Sequence, residues 1–153
     1  MGERTDNTRL RAAGVEDLGE VARCTRAFNA IEGITIADDV LEAALLQLLG
    51  DASLGVVFLV ETDRVIGHAV VTYGYDLEWG GRDAYLTEFL IDDHKRGRGI
   101  GTRVLQLLAD EVRQRDVRAL HLEVRADNPA LQLYERAGFV RSTRLSMTLR
   151  LTV

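Results

Sequence analysis

The spacing of hydrophobic positions changes several times along the chain, and each change predicts a boundary between secondary-structure elements. Residues 8–12 alternate weakly, as a first strand would, and residues 16–29 and 38–50 carry apolar side chains at helical spacing. Two β-branched runs, 55–61 and 65–75, are separated by three polar residues and predict an antiparallel hairpin. The first half of the chain therefore predicts a strand, two helices and a hairpin.

The second half of the chain continues the sheet and adds two further helices. The predicted elements are a strand at 84–91, a helix at 100–112, a strand at 119–124, a short helix at 130–137 and a last alternating strand at 144–151. Together these elements predict an α+β fold in one domain, residues 1–153. Its sheet is expected to be mixed, mostly antiparallel and flanked by helices.

Composition and charge narrow the class of protein. The 153 residues suit one domain with a single core, and 46% hydrophobic with 28% charged residues excludes a disordered chain. A formal net charge of −5 disfavours non-specific electrostatic binding of nucleic acid by the whole domain. One cysteine, Cys24, excludes an internal disulfide, and no apolar run has the length of a signal peptide or a membrane span. We therefore expect a cytoplasmic protein that binds neither membranes nor nucleic acid.

A basic, glycine-rich loop at residues 94–101 is the most informative segment. It holds three Lys and Arg residues in an otherwise acidic chain and leads directly into a predicted helix. Glycines let successive backbone N–H groups converge on one anion, and a helix N-terminus adds further donors. The loop matches neither the P-loop pattern nor the dinucleotide-binding pattern G-x-G-x-x-G. A pyrophosphate site fits this loop, and a solvated basic turn is the structural alternative.

Two motifs together resemble the GNAT superfamily of N-acetyltransferases. The first is R-x-x-G-x-G, formed by Arg96, Gly99 and Gly101 after a strand that carries an acidic residue. The second is LEVRADNPALQLYERAGF, in which these positions are in step with the family: Ala130, Leu133, Tyr134, Gly138 and Phe139. The resemblance covers most of the chain and is strongest over residues 85–139. It implies a GNAT-like sheet that splays between its fourth and fifth strands.

The resemblance implies acetyl-CoA as the cosubstrate. Backbone groups of Phe89, Leu90 and Ile91 would hold the pantetheine arm, and a main-chain N–H near Phe89 or Leu90 would contact the thioester carbonyl. The pyrophosphate would bind the loop residues, which are Arg96, Gly97, Arg98, Gly99, Ile100, Gly101 and Thr102. The family usually places an asparagine seven residues before the tyrosine. Here Asp127 occupies that position and Asn128 follows it, so either residue can take the contact to pantetheine.

The family reaction is direct acetyl transfer to a primary amine in a ternary complex, which poses two proton problems. An alkylammonium must lose a proton before it attacks, and Glu88, on the strand before the loop, is the candidate base. Its structural alternative is a strand glutamate that is solvated or paired with an arginine, and Glu123 is the reserve candidate. Tyr134 matches the family's general acid for the departing thiolate. Its structural alternative is a core aromatic, and both roles are compatible.

The acceptor site is less constrained by motifs. The candidate lining residues come from the first two helices and from the connection after the predicted hairpin: Phe28, Glu32, Tyr75, Glu78 and Trp79. Their acidic and aromatic character favours a cationic amine, such as a polyamine, an aminoglycoside-like compound, or a lysine or N-terminal amine of a peptide. The alternative is that Glu32 and Glu78 are loop charges that keep the protein soluble.

Other functions are compatible with a basic loop before a helix. One is transfer of a different acyl group from its CoA thioester, and another is a regulatory module that binds coenzyme A without turnover. A nucleic-acid binder is disfavoured because no aromatic side chains alternate with the basic cluster.

Two further expectations concern metals and self-association. The histidines lack metal-site spacing, so no metal is expected; they are His68, His94 and His121. The alternating apolar residues of the last predicted strand form either the edge of a homodimer or part of the chain's own core: Leu145, Met147 and Leu149.

Overall fold

The structure is a computed structural model that describes residues 7–92, 97 and 99–152, and its framework is a five-stranded sheet. The strands are β1 (Arg9–Ala12), β2 (Gly55–Glu61), β3 (Val65–Asp76), β4 (Gly81–Ile91) and β5 (Leu120–His121). They lie side by side in chain order. The pairs β1–β2, β2–β3 and β3–β4 are antiparallel, and β5 runs parallel to β4. The predicted α+β fold with a mixed, mostly antiparallel sheet is therefore confirmed.

Helices cover both faces of the sheet. They are α1 (Leu18–Glu32), α2 (Asp38–Gly50), α3 (Ile100–Arg113) and α4 (Ala130–Arg136). On one face α1 and α2 pack on Val57, Leu59 and Val70, and on the other α3 packs on Phe58 and Val71. Alternate residues of β2 and β3 thus serve two cores, as the period of a strand requires. Among the described residues we find no helix with the length and apolar character that crossing a membrane requires.

A β-bulge in β4 places the residues after it on the opposite face of the sheet from the one that a regular strand would give. Val71 pairs with Leu86 and Val70 pairs with Glu88, so Thr87 has no opposite residue. Leu86 belongs to the α3 core, whereas the Glu88 side chain reaches α1. In a regular strand, residues two apart share a face, so Glu88 would lie on the side of Leu86. The extra residue is therefore what turns the Glu88 carboxylate towards α1.

β5 is shorter than the strand predicted at residues 119–124, and its shortness opens the sheet. Its two residues pair only with Ala84 and Tyr85 of β4. From Leu86 to Leu90, β4 has no strand neighbour on this side within the part of the chain that the structure describes. Leu122 still packs against the α3 core, so the chain stays close after the backbone pairing ends. The expected splay between the fourth and fifth strands is therefore confirmed.

The C-terminal segment does not form the last strand predicted at residues 144–151. These residues have no strand pairing, and Leu145, Met147 and Leu149 are 91%, 92% and 81% exposed. The prediction was wrong because alternating apolar residues favour a strand only where a neighbouring strand supplies backbone partners and covers one face. The alternative that these three side chains belong to the chain's own core is wrong for the same reason.

Candidate active site

Glu88 lies in a network of polar side chains on the α1 face of the sheet. Its Oε1 accepts a hydrogen bond of 2.8 Å from Thr25 Oγ1 of α1, and His68 Nε2 of β3 lies 2.8 Å from the same oxygen. Thr25 and His68 are 1% and 0% exposed, whereas the Glu88 side chain is 20% exposed. The carboxylate is therefore held from inside the protein and open to solvent on one side. Among the described residues, no arginine forms an ion pair with it.

Sequence reasoning missed Thr25 and His68 as partners of Glu88. His68 interrupts the otherwise apolar run of residues 65–71 in β3, and a polar side chain in such a run needs a partner when it is buried. That signal identifies His68 as a candidate but not its partner. Only the register of β3 against β4, with Val70 opposite Glu88 and His68 opposite Leu90, brings the two side chains together.

Tyr134 of α4 lies on the other side of β4 and packs as a core aromatic. Its ring contacts Phe89 at a centroid distance of 6.2 Å and Phe139 at 5.8 Å, both edge to face. Burial, and to a smaller degree the negative charge of Glu32, raises the pKa of Tyr134 to about 12. The phenol is therefore protonated at neutral pH, as a proton donor must be. The structural alternative is confirmed, and the role as general acid stays a prediction.

One face of α1 brings two of the predicted acceptor-site residues next to these groups. Thr25, Phe28 and Glu32 recur at helical spacing on that helix. The Phe28 ring lies edge-on to His68, with centroids 6.5 Å apart. Glu32 is close enough to raise the pKa of Tyr134, and its carboxylate lies 3.7 Å from Arg125. The end of α1 therefore connects the Glu88 side with the Tyr134 side.

The other three acceptor-site candidates lie at the opposite end of the hairpin formed by β3 and β4. Tyr75 pairs with Arg82, five positions along β3 from the Val70–Glu88 pair, which corresponds to about 17 Å of strand. Glu78 accepts a hydrogen bond of 2.8 Å from Arg144. Trp79 contacts the ring of His121 at 5.9 Å. The structure does not bring these three residues together with Glu88.

Two glycines of the basic loop have a backbone conformation that favours glycine. Gly97 and Gly99 have φ angles of 76° and 74°, in the left-handed region that favours glycine. Gly99 precedes the first turn of α3, whose leading N–H groups have no acceptor within the helix. Gly101 allows α4 to approach, because a Cβ there would lie 3.0 Å from Leu133. The predicted contacts of Arg96 and Arg98 lie outside the described residues.

Asp127 and Asn128, the alternative pantetheine contacts, differ in their surroundings. Asn128 Oδ1 accepts a hydrogen bond of 2.9 Å from the Ala130 backbone at the start of α4. Asp127 is exposed. The asparagine side chain therefore supports the local turn, and the choice between the two residues stays open.

The remaining sequence candidates are less suited to catalysis. Glu123, the reserve base, is exposed and accepts a hydrogen bond of 2.8 Å from Ser146. Cys24 is fully buried in α1, and burial raises the pKa of its thiol to about 11 despite the neighbouring Arg23. A thiol with this pKa is a weak nucleophile at neutral pH.

Comparison with known proteins identifies the class that this site and fold define. The sequence model of the acetyltransferase (GNAT) family matches residues 22–139. Because that match covers well over half of the 153 residues, the chain belongs to this family.

Individual relatives resemble this chain in sequence or in fold. The chain is 36% identical over 86 residues to the ribosomal protein bS18-alanine N-acetyltransferase of Salmonella typhimurium, covering 56% of this chain and 54% of that protein. It therefore spans about half the length of this curated relative. An integron cassette protein from the mobile metagenome of Cole Harbour Salt Marsh is 28% identical, with a TM-score of 0.83 over 97% of this chain and 93% of its own. A predicted acetyltransferase from Clostridium acetobutylicum, solved with acetyl-CoA, has 22% identity and a TM-score of 0.77 over 94% of this chain and 96% of its own.

Proposed function

We propose that this protein transfers the acetyl group of acetyl-CoA directly to a primary amine in a ternary complex, with Glu88 as base and Tyr134 as acid. The observation that carries the proposal is the placement of these two groups about the same stretch of β4. Glu88 is held by Thr25 and His68 on the α1 side, and Tyr134 packs on the next residue, Phe89, from the α4 side. This placement supports a base and an acid on either side of one strand segment.

Acetyl-CoA would lie in the opening of the sheet beside β4. The pantetheine arm would lie along Phe89 and Leu90, where β4 has no strand neighbour among the described residues. The pyrophosphate would lie at Gly97, Gly99 and the start of α3. Ile91 and Ile100 pack in a common core, which joins the end of β4 to that helix. Contacts from Arg96 and Arg98 are part of this proposal.

The proposed reaction moves protons in a definite order. Glu88 takes one proton from the substrate ammonium, and the freed lone pair forms a C–N bond at the thioester carbonyl. Backbone N–H groups of β4 stabilise the oxyanion that develops there. The C–S bond then breaks, Tyr134 donates its proton to the coenzyme A thiolate, and the amide nitrogen loses its second proton to restore Tyr134 through solvent. The sum is one amide, one coenzyme A thiol and one released proton.

The acceptor we propose is a cationic primary amine, and an N-terminal amine of a peptide is favoured among such acceptors. The net charge of −5 attracts a cation, and Glu32, whose carboxylate also lies 3.7 Å from Arg125, adds an acidic group near Tyr134. The named activity of the Salmonella typhimurium relative, on an alanine of a ribosomal protein, supports a peptide acceptor. Transfer of a longer acyl group and a non-catalytic CoA-binding role are the alternatives.

Calorimetric titration with acetyl-CoA, followed by an amine screen, tests the proposed function. We expect micromolar binding by the wild type and its loss in Gly99→Glu, because the added side chain and charge occupy the anion loop. A hexapeptide with N-terminal alanine, spermidine and kanamycin are then compared by coenzyme A release. Binding without release for any amine would support the regulatory alternative, and no binding by the folded wild type would contradict the acetyl-CoA assignment.

A homodimer formed through the C-terminal segment is the interaction we propose for the exposed residues Leu145, Met147 and Leu149. Their exposure in one chain leaves an apolar strip that a second copy can cover. Light scattering of the wild type and of Leu145→Glu tests this proposal, with a dimer expected only for the former. A cytoplasmic location and the absence of metal, nucleic acid and membrane from the function stay predictions.

A further inference from the structure

The buried contacts of Glu88 distinguish its two carboxylate oxygens. We propose that His68 and Thr25 are positioning residues that hold Oε1 of Glu88, so that Oε2 is the atom that accepts the substrate proton. The proposal rests on the proposed function, in which Glu88 is the base. It adds which oxygen acts and which two side chains orient it.

The tautomer of His68 follows from its surroundings. Nε2 lies 2.8 Å from Glu88 Oε1, whereas Nδ1 is buried and has no hydrogen-bond partner among the residues that the structure describes. A hydrogen on Nδ1 would be a buried donor without an acceptor, and the bare Nε2 would then face a carboxylate oxygen. The neutral ring with its hydrogen on Nε2 avoids both penalties and leaves Nδ1 as a buried acceptor, whereas an imidazolium would still carry the unpaired donor on Nδ1. His68 is therefore a neutral donor to Glu88.

Thr25 supplies the second donor to the same oxygen. A threonine hydroxyl inside a helix commonly bonds to a carbonyl of the preceding turn. Here Thr25 Oγ1 instead donates across to Glu88 Oε1 at 2.8 Å. The two donors come from different elements, α1 and β3, so the carboxylate is held in two directions. A group oriented in this way stays close to its reacting geometry.

The character of these donors suits a base. A lysine or arginine at this contact would favour the ionised carboxylate strongly and oppose its protonation by the substrate. Within residues 7–92, 97 and 99–152, the side chains bonded to Glu88 are a hydroxyl and a neutral imidazole. Two neutral donors orient the carboxylate without placing a formal positive charge beside it. The Phe28 ring contacts the imidazole edge-on.

The tautomer is tested directly by nitrogen NMR of the full chain labelled with 15N-histidine. The chain has three histidines, so loss of one set of signals in His68→Gln assigns His68. We expect a neutral ring with its hydrogen on Nε2, and a shift of that N–H signal in Glu88→Gln. An imidazolium, a hydrogen on Nδ1, or a signal that ignores Glu88→Gln would overturn the proposal. This measurement needs no acceptor amine, so it stands apart from the proposed function.

Matched pairs of variants test the effect on the reaction. His68→Leu and Thr25→Val remove a donor at similar volume, and His68→Gln and Thr25→Ser restore one. We expect kcat to fall about tenfold in each donor-free variant, with the Kd for acetyl-CoA kept within about twofold, and to recover mostly in the restored variants. His121→Gln, in the unrelated pair with Asp83, is the control and keeps kcat within about twofold.

The kinetic outcomes separate positioning from packing. The acceptors are the alanine hexapeptide, spermidine and kanamycin, and thermal unfolding checks that each variant folds. Equal losses in His68→Leu and His68→Gln, or an unchanged kcat in Thr25→Val, would overturn the positioning role. A folded wild type that acetylates none of these amines would contradict the proposed function instead, while the NMR result still decides how His68 contacts Glu88.

Discussion

Glu88 and Phe89 are neighbours in β4 but bind to opposite halves of the molecule. The Glu88 carboxylate accepts its hydrogen bond from Thr25 of α1, and the Phe89 ring contacts Tyr134 of α4. The bulge at Thr87 determines which face each residue occupies. Leu86, before the bulge, faces α3, and the extra residue turns Glu88 to the opposite face. The candidate base is therefore adjacent in sequence to the residue that contacts the candidate acid, and the two groups lie on opposite faces of one strand.

Replacing Tyr134 by phenylalanine tests the candidate acid. The variant keeps the ring contacts with Phe89 and Phe139, so it should fold like the wild type. We expect kcat to fall about tenfold or more, because the thiolate leaves without its proton donor. Steady-state coenzyme A release measures kcat, and thermal unfolding checks that the variant folds like the wild type. An unchanged kcat would assign the residue to packing alone.

The pH dependence of the reaction gives a separate test of Tyr134. Its acid form is the active one, and burial raises its pKa to about 12. Activity that depends on this proton is therefore present below that value and lost only as the pH rises towards 12. We expect kcat to show no alkaline decline between pH 8 and about pH 10 in the wild type. A decline in that range that disappears in Tyr134→Phe would contradict the raised pKa of Tyr134, although it would still show that the Tyr134 proton takes part in the reaction.

Cys24 should be unreactive in the folded protein. Burial raises the pKa of its thiol to about 11, which lowers the thiolate fraction near pH 8 by about 100-fold relative to an ordinary thiol. We therefore expect slow labelling by a thiol-specific reagent in buffer and fast labelling in denaturing urea. Equally fast labelling in both conditions would show that α1 opens readily at this point.

Asp17 should stabilise the fold in a pH-dependent manner. Its carboxylate accepts two hydrogen bonds from Arg11, at 2.9 and 3.1 Å, and the contact lowers the pKa of Asp17 below its usual 3.8. A lowered folded-state pKa stabilises the protein above the unfolded-state value, and the contribution is lost as the pH falls through the folded-state value.

Urea unfolding of Asp17→Asn measures this contribution. We expect a loss of about 1 kcal/mol in unfolding free energy at pH 7 and a smaller loss near pH 3. Asp38→Asn removes the exposed pair with Arg26 and is the matched control, with little expected change. Equal losses for both variants at pH 7 would contradict a special role for Asp17.

The sequence predicted most of the fold because the burial of its strands and helices follows simple periods. The hydrophobic pattern predicted the hairpin of β2 and β3 and the ends of α2 and α3. The family motifs predicted the splay beside β4. The bulge at Thr87 was not, because one extra residue in a strand leaves the apolar pattern on both sides intact. The C-terminal strand was predicted wrongly, since alternation says nothing about whether a partner strand is present.

The site was predicted in part for a similar reason. Glu88, Tyr134, Phe28 and Glu32 were named from motifs and elements, and the structure brings them to one region. Thr25 and His68 were missed as partners of Glu88, because contacts across α1, β3 and β4 depend on register and not on local sequence. Tyr75 and Trp79 were grouped with the site although they lie at the far end of the hairpin.

Mass spectrometry of the amine product, for the wild type beside Glu88→Gln and Glu123→Gln, tests the central claim most directly. Each protein is incubated with acetyl-CoA and the alanine hexapeptide, spermidine or kanamycin. We predict an acetylated amine from the wild type and from Glu123→Gln, and at least about 100-fold less from Glu88→Gln, although all three bind acetyl-CoA. Full activity in Glu88→Gln would contradict the assignment of Glu88 as the base, and its loss in Glu123→Gln would assign that role to Glu123.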